Sequence, residues 1–498
     1  MTSRFAGLAP AVAGAFAALG LAPWSFWQLT LVSLALAFFL AARASSPERA
    51  AFVGWAFGVG YFAVGLFWIV EPFFVDPLRH GWMAPFALLF LASGLALFWG
   101  AAFWVSARFA PGFGLVPIWT LIEALRGVIF TGFPWAGFAQ IWVGQGADQS
   151  LAWVGPHGLA LLTLGSGWAL YFAVVNRAAI VGLWAVAVPV LGVVFSVAMP
   201  TPSEGDAIVR LIQPNAPQNQ KWDPEMIPVF WQRQLDFSAQ PADELPDLVV
   251  WPETSVPALL ENAGPAFSLI SDAAGDAVTV VGVQRFEGQR LFNSLATVTE
   301  DGRVGAIYDK HHLVPFGEYV PFGDWLARVG IYGFAATLGQ GFSAGPGPAI
   351  LDFGRAGRGL PLICYEAVFQ RHARLDGDRP DFLIQITNDA WFGNISGPYQ
   401  HLAQSRMRAI EQGLPMIRAA NTGVSAMIDP QGRLRAMLPL GSAGYVDAPL
   451  PSAQEPTVYA KTGDSPAYLA ALLLLGVAFV TQRRRTDAKP IDRASNRT

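Results

Sequence analysis

The uneven placement of charge along this chain dictates its architecture. Residues 5–199 are almost free of Asp, Glu, Lys and Arg, whereas residues 200–465 have an ordinary soluble composition. Over all 498 residues 14% are charged and 53% are hydrophobic, against about 25% charged in a typical soluble chain. A long apolar stretch that water does not solvate must be buried, so the pattern predicts a membrane region followed by a soluble one.

A spanning helix takes about 20 mostly apolar residues. Seven such segments precede the soluble region, at about 5–21, 26–42, 51–70, 82–106, 112–130, 151–174 and 179–199, and an eighth, about 466–482, follows it. The first is followed by further spans, so it reads as a retained helix and not as a cleavable signal. With eight spans, Arg4, Arg43, Arg49, Arg108, Arg177, Arg483, Arg484 and Arg485 fall on one side, with Arg79 the exception. Basic loops stay in the cytoplasm, which puts both chain ends inside and residues 200–465 outside. The expected organisation is a transmembrane bundle over 1–200, an outer domain over 201–464, a C-terminal transmembrane helix over 465–485 and a disordered polar tail over 486–498.

The outer region alternates strand-length and helix-length segments. Ile208–Ile212, Leu248–Trp251, Val278–Val283, Leu360–Cys364 and Phe382–Ile386 are apolar runs bounded by Pro, Gly or Asp, and Gln400–Gly413 has helix length. This predicts a layered α/β domain. The net charge of −4 and the lack of a long basic run argue against nucleic acid as a partner. Cys364 is the one cysteine, so the chain forms neither an internal disulfide nor a cysteine metal cluster.

Four short motifs carry candidate chemistry. Val249-Val250-Trp251-Pro252-Glu253 is a strand that ends in a carboxylate. A second run, Tyr308 to Tyr319, contains Lys310, His311, His312 and Glu318. Leu362-Ile363-Cys364-Tyr365-Glu366 is a strand running into the thiol, and Thr387-Asn388-Asp389-Ala390-Trp391-Phe392-Gly393 is the fourth. Strand ends in α/β domains hold reactive groups on a fixed backbone. A thiol of ordinary pKa is mostly protonated near neutrality, and a neighbouring carboxylate can take its proton during attack. An ammonium and backbone N–H groups can stabilise the oxyanion that forms. A carboxylate, an ammonium and a thiol therefore make a coherent acyl-transfer set.

Glu253, Lys310 and Cys364, in that order and context, resemble the Glu-Lys-Cys triad of the nitrilase superfamily. The Pro-Phe-Gly-Glu-Tyr-Val core within Lys310 to Val320, the Cys-Tyr-Glu at 364–366 and the apolar segments on both sides resemble the membrane-embedded branch, the apolipoprotein N-acyltransferase family, over nearly the whole chain. The resemblance implies a nitrilase-like αββα sandwich joined to a transmembrane bundle of about eight spans. It implies Glu253 as general base and later acid, Lys310 as oxyanion stabiliser and Cys364 as the nucleophile that carries an acyl thioester. Glu318 would support Lys310, the Tyr365 N–H would be a second oxyanion donor, and Glu366 would flank the nucleophile. Glu318 and Glu366 also fit a purely structural ion-pair role. Trp222 and Trp391 match aromatic positions on loops that meet lipid or lipoprotein, with packing as the alternative, and Asn388 and Phe392 are substrate-contact candidates in the same motif. His311-His312 departs from the Lys-Arg-His expected there. His401 reads as structural.

The implied reaction is ping-pong. A phospholipid, phosphatidylethanolamine through its sn-1 chain, acylates Cys364, and the α-amine of a diacylglyceryl-cysteine lipoprotein takes the acyl group. No cofactor or metal is implied, because the acyl group arrives activated as an ester. The implied setting is the bacterial inner membrane, with a monomeric enzyme and its catalytic domain in the periplasm. Glu123 and Arg126, three residues apart in the fifth segment, are candidates for a phospholipid head group or simply an intrahelical pair. Two other readings compete. A membrane-tethered amide or nitrile hydrolase would share the triad but leave some seven preceding spans unexplained. A transporter is disfavoured by the scarcity of charge in the spans and the lack of an inverted repeat.

Overall fold

The computed structural model describes residues 7–198, 201–321, 341–375 and 377–487. They form two compact units. One comprises Met1–Val70, Met83–Met199 and Val458–Thr498, and the other Glu71–Trp82 and Pro200–Thr457. Most of the tail expected over 486–498 lies outside the described residues.

The first unit is helical. Its longer helices are Leu8–Ala18, Trp27–Ala42, Pro47–Gly65, Ala84–Phe109, Leu115–Arg126, Leu151–Asn176, Ala179–Ala198 and Ser465–Asp487. Among the described residues three helices are long and apolar enough to cross a bilayer: Pro77–Phe109, Ala147–Asn176 and Ser465–Arg484. Pro47–Gly65 with Phe67–Phe74, bent by 48°, makes a fourth if the pair is one span. Leu8–Ala18, Trp27–Ala42 and Ala179–Val190 are apolar but shorter. The expectation of eight full-length spans is therefore not met by helix length. Apolar composition runs on through breaks that end the helix. Over 112–130, a 3₁₀ turn at Gly112–Gly114 and another at Ile129–Thr131 flank a helix of only 12 residues. Within this unit the first and third helices touch closely through glycine. A Cβ at Gly14 would sit 1.9 Å from the Phe57 carbonyl oxygen, and one at Gly60 would sit 1.8 Å from that of Ala11.

Among the described residues the second unit has twelve strands: β1 Glu204–Gln213, β2 Leu248–Val250, β3 Val278–Glu287, β4 Arg290–Val298, β5 Val304–Asp309, β6 Leu351–Asp352, β7 Arg358–Ile363, β8 Phe382–Thr387, β9 Met416–Ala420, β10 Ser425–Ile428, β11 Leu434–Leu438 and β12 Gly444–Pro451. They make two six-stranded sheets, ordered β12-β1-β2-β3-β4-β5 and β11-β10-β9-β8-β7-β6. The central pairs β1–β2, β2–β3, β7–β8 and β8–β9 are parallel, and the outer pairs antiparallel. Val209, Leu211, Val250 and Leu295 of one sheet share a core with Ile363, Ile384, Ile386 and Met427 of the other. On the first sheet's far face, Val249, Val281 and Val283 pack on Leu235, Phe267 and Ile270 of helices Ile227–Ser238 and Gly264–Ala274. The second sheet's far face packs Leu362, Leu383 and Met416 on Leu402 and Ala409 of helix Gly397–Gln412. This is the αββα sandwich. The central strands, such as β2 and β8, are near-continuously apolar because both of their faces are covered.

Candidate active site

Three strands end at three reactive side chains. The chain leaves β2 through Trp251 and Pro252 to Glu253, leaves β5 directly into Lys310, and leaves β7 directly into Cys364. All three side chains are buried, with Glu253 5%, Lys310 1% and Cys364 5% exposed. Lys310 Nζ donates to Glu318 Oε1 at 2.9 Å and lies 3.5 Å from Glu253 Oε1. Burial opposes the Lys310 ammonium, but Glu318, Glu253 and Cys364 outweigh it and hold its pKa above the ordinary lysine value. Lys310 is therefore a fixed cation at neutral pH.

Glu253 is held at both oxygens. Oε1 accepts from Asn293 Nδ2 at 2.7 Å and Oε2 from the Asn388 backbone N–H at 2.9 Å. The turn that carries it rests on β3, where the Ser255 N–H donates to the Gly282 carbonyl at 2.8 Å. Gly282 is required there, since an added Cβ would meet Thr254 N at 2.3 Å and Glu253 Cα at 2.6 Å. On the other side Lys221 Nζ donates to the Glu253 carbonyl at 3.1 Å. Burial pulls the Lys221 ammonium down to about 8, with Glu253 opposing the fall.

Cys364 adopts φ of 50°, a left-handed conformation uncommon for a residue with a Cβ. Such strain persists only where the surroundings enforce it, and it clusters at functional sites. Here the Cys364 carbonyl accepts from Gln385 Nε2 at 3.1 Å. Behind Gln385 lies a fully buried network in which His401 Nδ1 is 2.8 Å from Asp389 Oδ1 and Arg418 donates to Asp389 Oδ2 and Gln385 Oε1, each at 2.5 Å. The structural reading of His401 matches this setting. Burial raises the Cys364 thiol pKa well above its usual value, Glu253 raises it further, and Lys310 opposes both. The resting thiol is protonated, so nucleophilic attack needs a base within reach.

Glu366 is fully buried and ties the nucleophile turn to the Lys310 loop. Its Oε2 accepts from the Ile363 N–H at 2.7 Å and from Tyr308 at 3.0 Å, and its Oε1 accepts from the His311 and His312 backbone N–H groups at 2.8 and 3.1 Å. Glu318 Oε2 accepts from the Val314 N–H at 2.8 Å, which closes the other side of that loop. Burial works against the Glu366 charge, but His311 and the backbone donors hold its pKa below the usual value. The structure thus brings together Glu253, Lys310, Cys364, Glu318, Tyr365, Glu366 and Asn388. Asn388 also donates to Gln218 Oε1 at 2.7 Å.

The aromatic candidates divide. Trp222 is 45% exposed, with Lys221 Nζ 5.5 Å from its ring centre. Phe392 packs on the core between the sheets and lies 5.4 Å from the His401 ring, while Trp391 is half-buried. Glu123 and Arg126 belong to the helical unit. Arg126 donates to Glu123 Oε1 at 2.9 Å and Oε2 at 2.7 Å, and to the carbonyls of Phe133 at 2.5 Å and Trp135 at 3.0 Å. Trp99 Nε1 donates to Glu123 at 2.7 Å. With Arg126 2% exposed, this geometry favours the intrahelical pair over a head-group contact. It also gives loop 131–137 its anchor. Asn293 escaped the sequence reading. Its Nδ2 bonds both Glu253 and Glu318, the latter at 3.1 Å, and it lies in a strand, β4, that is buried along all but its first residue.

Family models match both halves of the chain: the apolipoprotein N-acyltransferase N-terminal domain over residues 13–169, and carbon-nitrogen hydrolase over residues 208–456. Curated relatives named apolipoprotein N-acyltransferase align over most of the length. The protein from Rhodopseudomonas palustris is 35% identical over 508 residues, covering 95% of this chain and 94% of the relative. That from Caulobacter vibrioides is 37% identical, covering 86% of each. That from Brucella melitensis is 35% identical, covering 94% of this chain and 93% of the relative. Sandwich, site and full-length similarity agree, and the chain belongs to the apolipoprotein N-acyltransferase family of acyltransferases.

Proposed function

We propose that this protein moves a fatty acyl chain from a phospholipid, through a thioester on Cys364, to the α-amine of the N-terminal diacylglyceryl-cysteine of a lipoprotein. The observation that carries the reading is a thiol, a carboxylate and an ammonium, Cys364, Glu253 and Lys310, buried together at the ends of three strands. In the first half-reaction Glu253 takes the thiol proton as sulfur attacks the ester carbonyl. Lys310 and the Tyr365 N–H stabilise the oxyanion, an interaction class that contributes about 3–4 kcal/mol per donor in related chemistry. Glu253 then gives the proton to the leaving glyceryl oxygen, and a lysophospholipid departs. In the second half-reaction the amine attacks the thioester, its proton passes through Glu253 to the departing sulfur, and the product is an amide.

The donor proposed is the sn-1 chain of phosphatidylethanolamine. The setting proposed is the bacterial inner membrane, with residues 201–464 in the periplasm, both ends cytoplasmic, and the eight apolar segments, 1–200 and 465–485, embedded together. Lipid substrates favour such a setting, because each buried CH₂ is worth about 0.8 kcal/mol and acyl chains leave the bilayer at high cost. Trp222 and Trp391 are proposed to meet the lipid substrates, and the enzyme to act as a monomer. Mass spectrometry of the purified protein with phospholipid tests the reading. An acyl adduct on Cys364 is expected, and Cys364→Ala should lose both adduct and turnover. Normal turnover by Cys364→Ala would overturn the assignment.

A further inference from the structure

Three of the chain's six histidines meet beside the nucleophile turn, and the chemistry above uses none of their side chains. His311 Nδ1 lies 2.7 Å from Glu366 Oε1 and 2.7 Å from the Tyr308 hydroxyl. His311 Nε2 lies 2.9 Å from His372 Nδ1, and His372 Nε2 lies 3.2 Å from His312 Nδ1. The remaining nitrogen, His312 Nε2, is buried with no hydrogen-bond partner. The His312 ring sits 4.1 Å from that of Phe369 and 5.7 Å from that of Tyr365, the residue after Cys364.

Donor accounting fixes the direction of this chain. Carboxylates only accept, so His311 donates from Nδ1 to Glu366. A neutral His311 then accepts at Nε2, which makes His372 donate from Nδ1 and accept at Nε2, and makes His312 donate from Nδ1. Every bond points toward Glu366, and the lone pair on His312 Nε2 is the open end.

The proposed reaction has a matching need. An α-amino group titrates near pH 8, so at neutral pH the acceptor arrives as an ammonium with one proton more than the attacking amine. Glu253 begins and ends the second half-reaction ionised, because it passes one proton from nitrogen to sulfur. The surplus proton must go either to bulk water or to a second base.

We infer that His312, His372 and His311 form a proton relay that takes the surplus proton of the ammonium acceptor and brings it to rest beside Glu366. The inference rests on the acyl-transfer reading. One N–H bond of the ammonium breaks and leaves its electron pair on nitrogen as the attacking lone pair. The proton bonds to His312 Nε2, the Nδ1 proton of His312 passes to His372 Nε2, and the Nδ1 proton of His372 passes to His311 Nε2. His311 ends as an imidazolium whose Nδ1–H faces Glu366. After the amide product leaves, the proton returns along the same path to water and the tautomers reset.

The surrounding charges set the slope. Burial first, then Arg371, lowers His312 to about 4, with His311 and Lys310 adding to the fall and Glu366 opposing it. Burial, His311, His312, Arg371 and Arg408 lower His372 to about 2. Burial and Glu366 keep the Tyr308 phenol protonated well above its usual range. The inner links resist holding charge, and the carboxylate stands at the far end.

The test uses the full-length protein with Cys364 acylated from phosphatidylethanolamine vesicles. The acyl-enzyme is then mixed with a diacylglyceryl-cysteine peptide, or with the same peptide ending in an alkoxyamine that is neutral at pH 7. In His372→Gln, adduct formation serves as internal control and should keep its rate. Transfer to the ammonium should slow about tenfold or more at pH 7, and the deficit should close by about pH 9.5, where the amine is neutral. Transfer to the alkoxyamine should be unaffected. His312→Gln should show the same signature. Equal slowing with both nucleophiles, no slowing with either, or a deficit that persists at high pH would overturn the relay. Absence of any adduct on wild-type Cys364 would overturn the acyl-transfer reading itself, and the relay with it.

Discussion

Both units bury carboxylates against a cation, to opposite ends. In the helical unit the Glu123 carboxylate meets the Arg126 fork and the Trp99 N–H, and the remaining Arg126 donors close on two loop carbonyls. The two charges cancel, and four of the five Arg126 N–H groups are taken within the unit. In the sandwich one ammonium, Lys310, serves two carboxylates, Glu253 and Glu318, next to a protonated thiol. That cluster sets two carboxylates on one ammonium beside a proton that can move. A planar fork suits a closed clamp, while a compact ammonium leaves room for a reacting atom. The comparison teaches that a buried ion pair marks function only where its accounting does not close.

The largest expected effect breaks the open cluster. Lys310→Met would leave Glu253 and Glu318 as neighbouring buried carboxylates sharing Asn293. Like charges that close cannot both stay ionised cheaply, so one takes up a proton and the base is compromised as the oxyanion donor is lost. Formation of the acyl adduct on Cys364 should slow by about 10³-fold or more, read by quenched-flow mass spectrometry. A loss below tenfold would make Lys310 a structural cation, like Arg126.

The closed cluster should behave differently. Removing one partner of a buried pair costs about 3–5 kcal/mol, so Arg126→Met should lower the melting temperature and the yield of folded protein. Adduct formation per folded molecule should stay unchanged. A raised KM for phospholipid at unchanged melting temperature would instead favour the head-group contact.

A smaller effect should come from the support under Glu253. Gly282→Ala puts a methyl where the Glu253 turn now lies, and the turn must shift. Misplacing a reacting group by about 1 Å costs about 10² in rate. Adduct formation should fall by that order, while thiol titration still counts one buried cysteine. An unchanged rate would mean that the base is not positioned by β3.

Much of the sandwich was legible because a doubly covered strand advertises itself. Leu248–Trp251, Val278–Val283 and Phe382–Ile386 are apolar runs with polar ends, and strands lie at each. Glu253, Lys310 and Cys364, the residues expected to react, sit one to three residues past strands that end at Val250, Asp309 and Ile363. The helical unit was read less well. Composition persists through the 3₁₀ turns at Gly112–Gly114 and Ile129–Thr131, where hydrogen bonding changes but hydropathy does not. Asn293 and the histidine chain were out of reach for another reason. Asn293 is 40 residues from Glu253, and His372 is 61 from His311, so only the fold brings them together.

The smallest effect concerns how the sandwich answers acid. Folded His372 is pushed down to about 2 by burial, then by His311, His312, Arg371 and Arg408, whereas an unfolded histidine charges near pH 6.5. Between those limits the unfolded chain binds a proton that the folded one refuses. Stability therefore rises with pH across the window and is lost as pH falls from about 6.5, by about 1.4 kcal/mol per pH unit for one such group. Denaturant melts from pH 6.5 to 4.5 should show wild-type stability falling more steeply than that of His372→Gln, in which this proton linkage is absent. Parallel slopes would mean that His372 is charged in the folded protein, and that the open cluster has a cation beside Glu366 at rest.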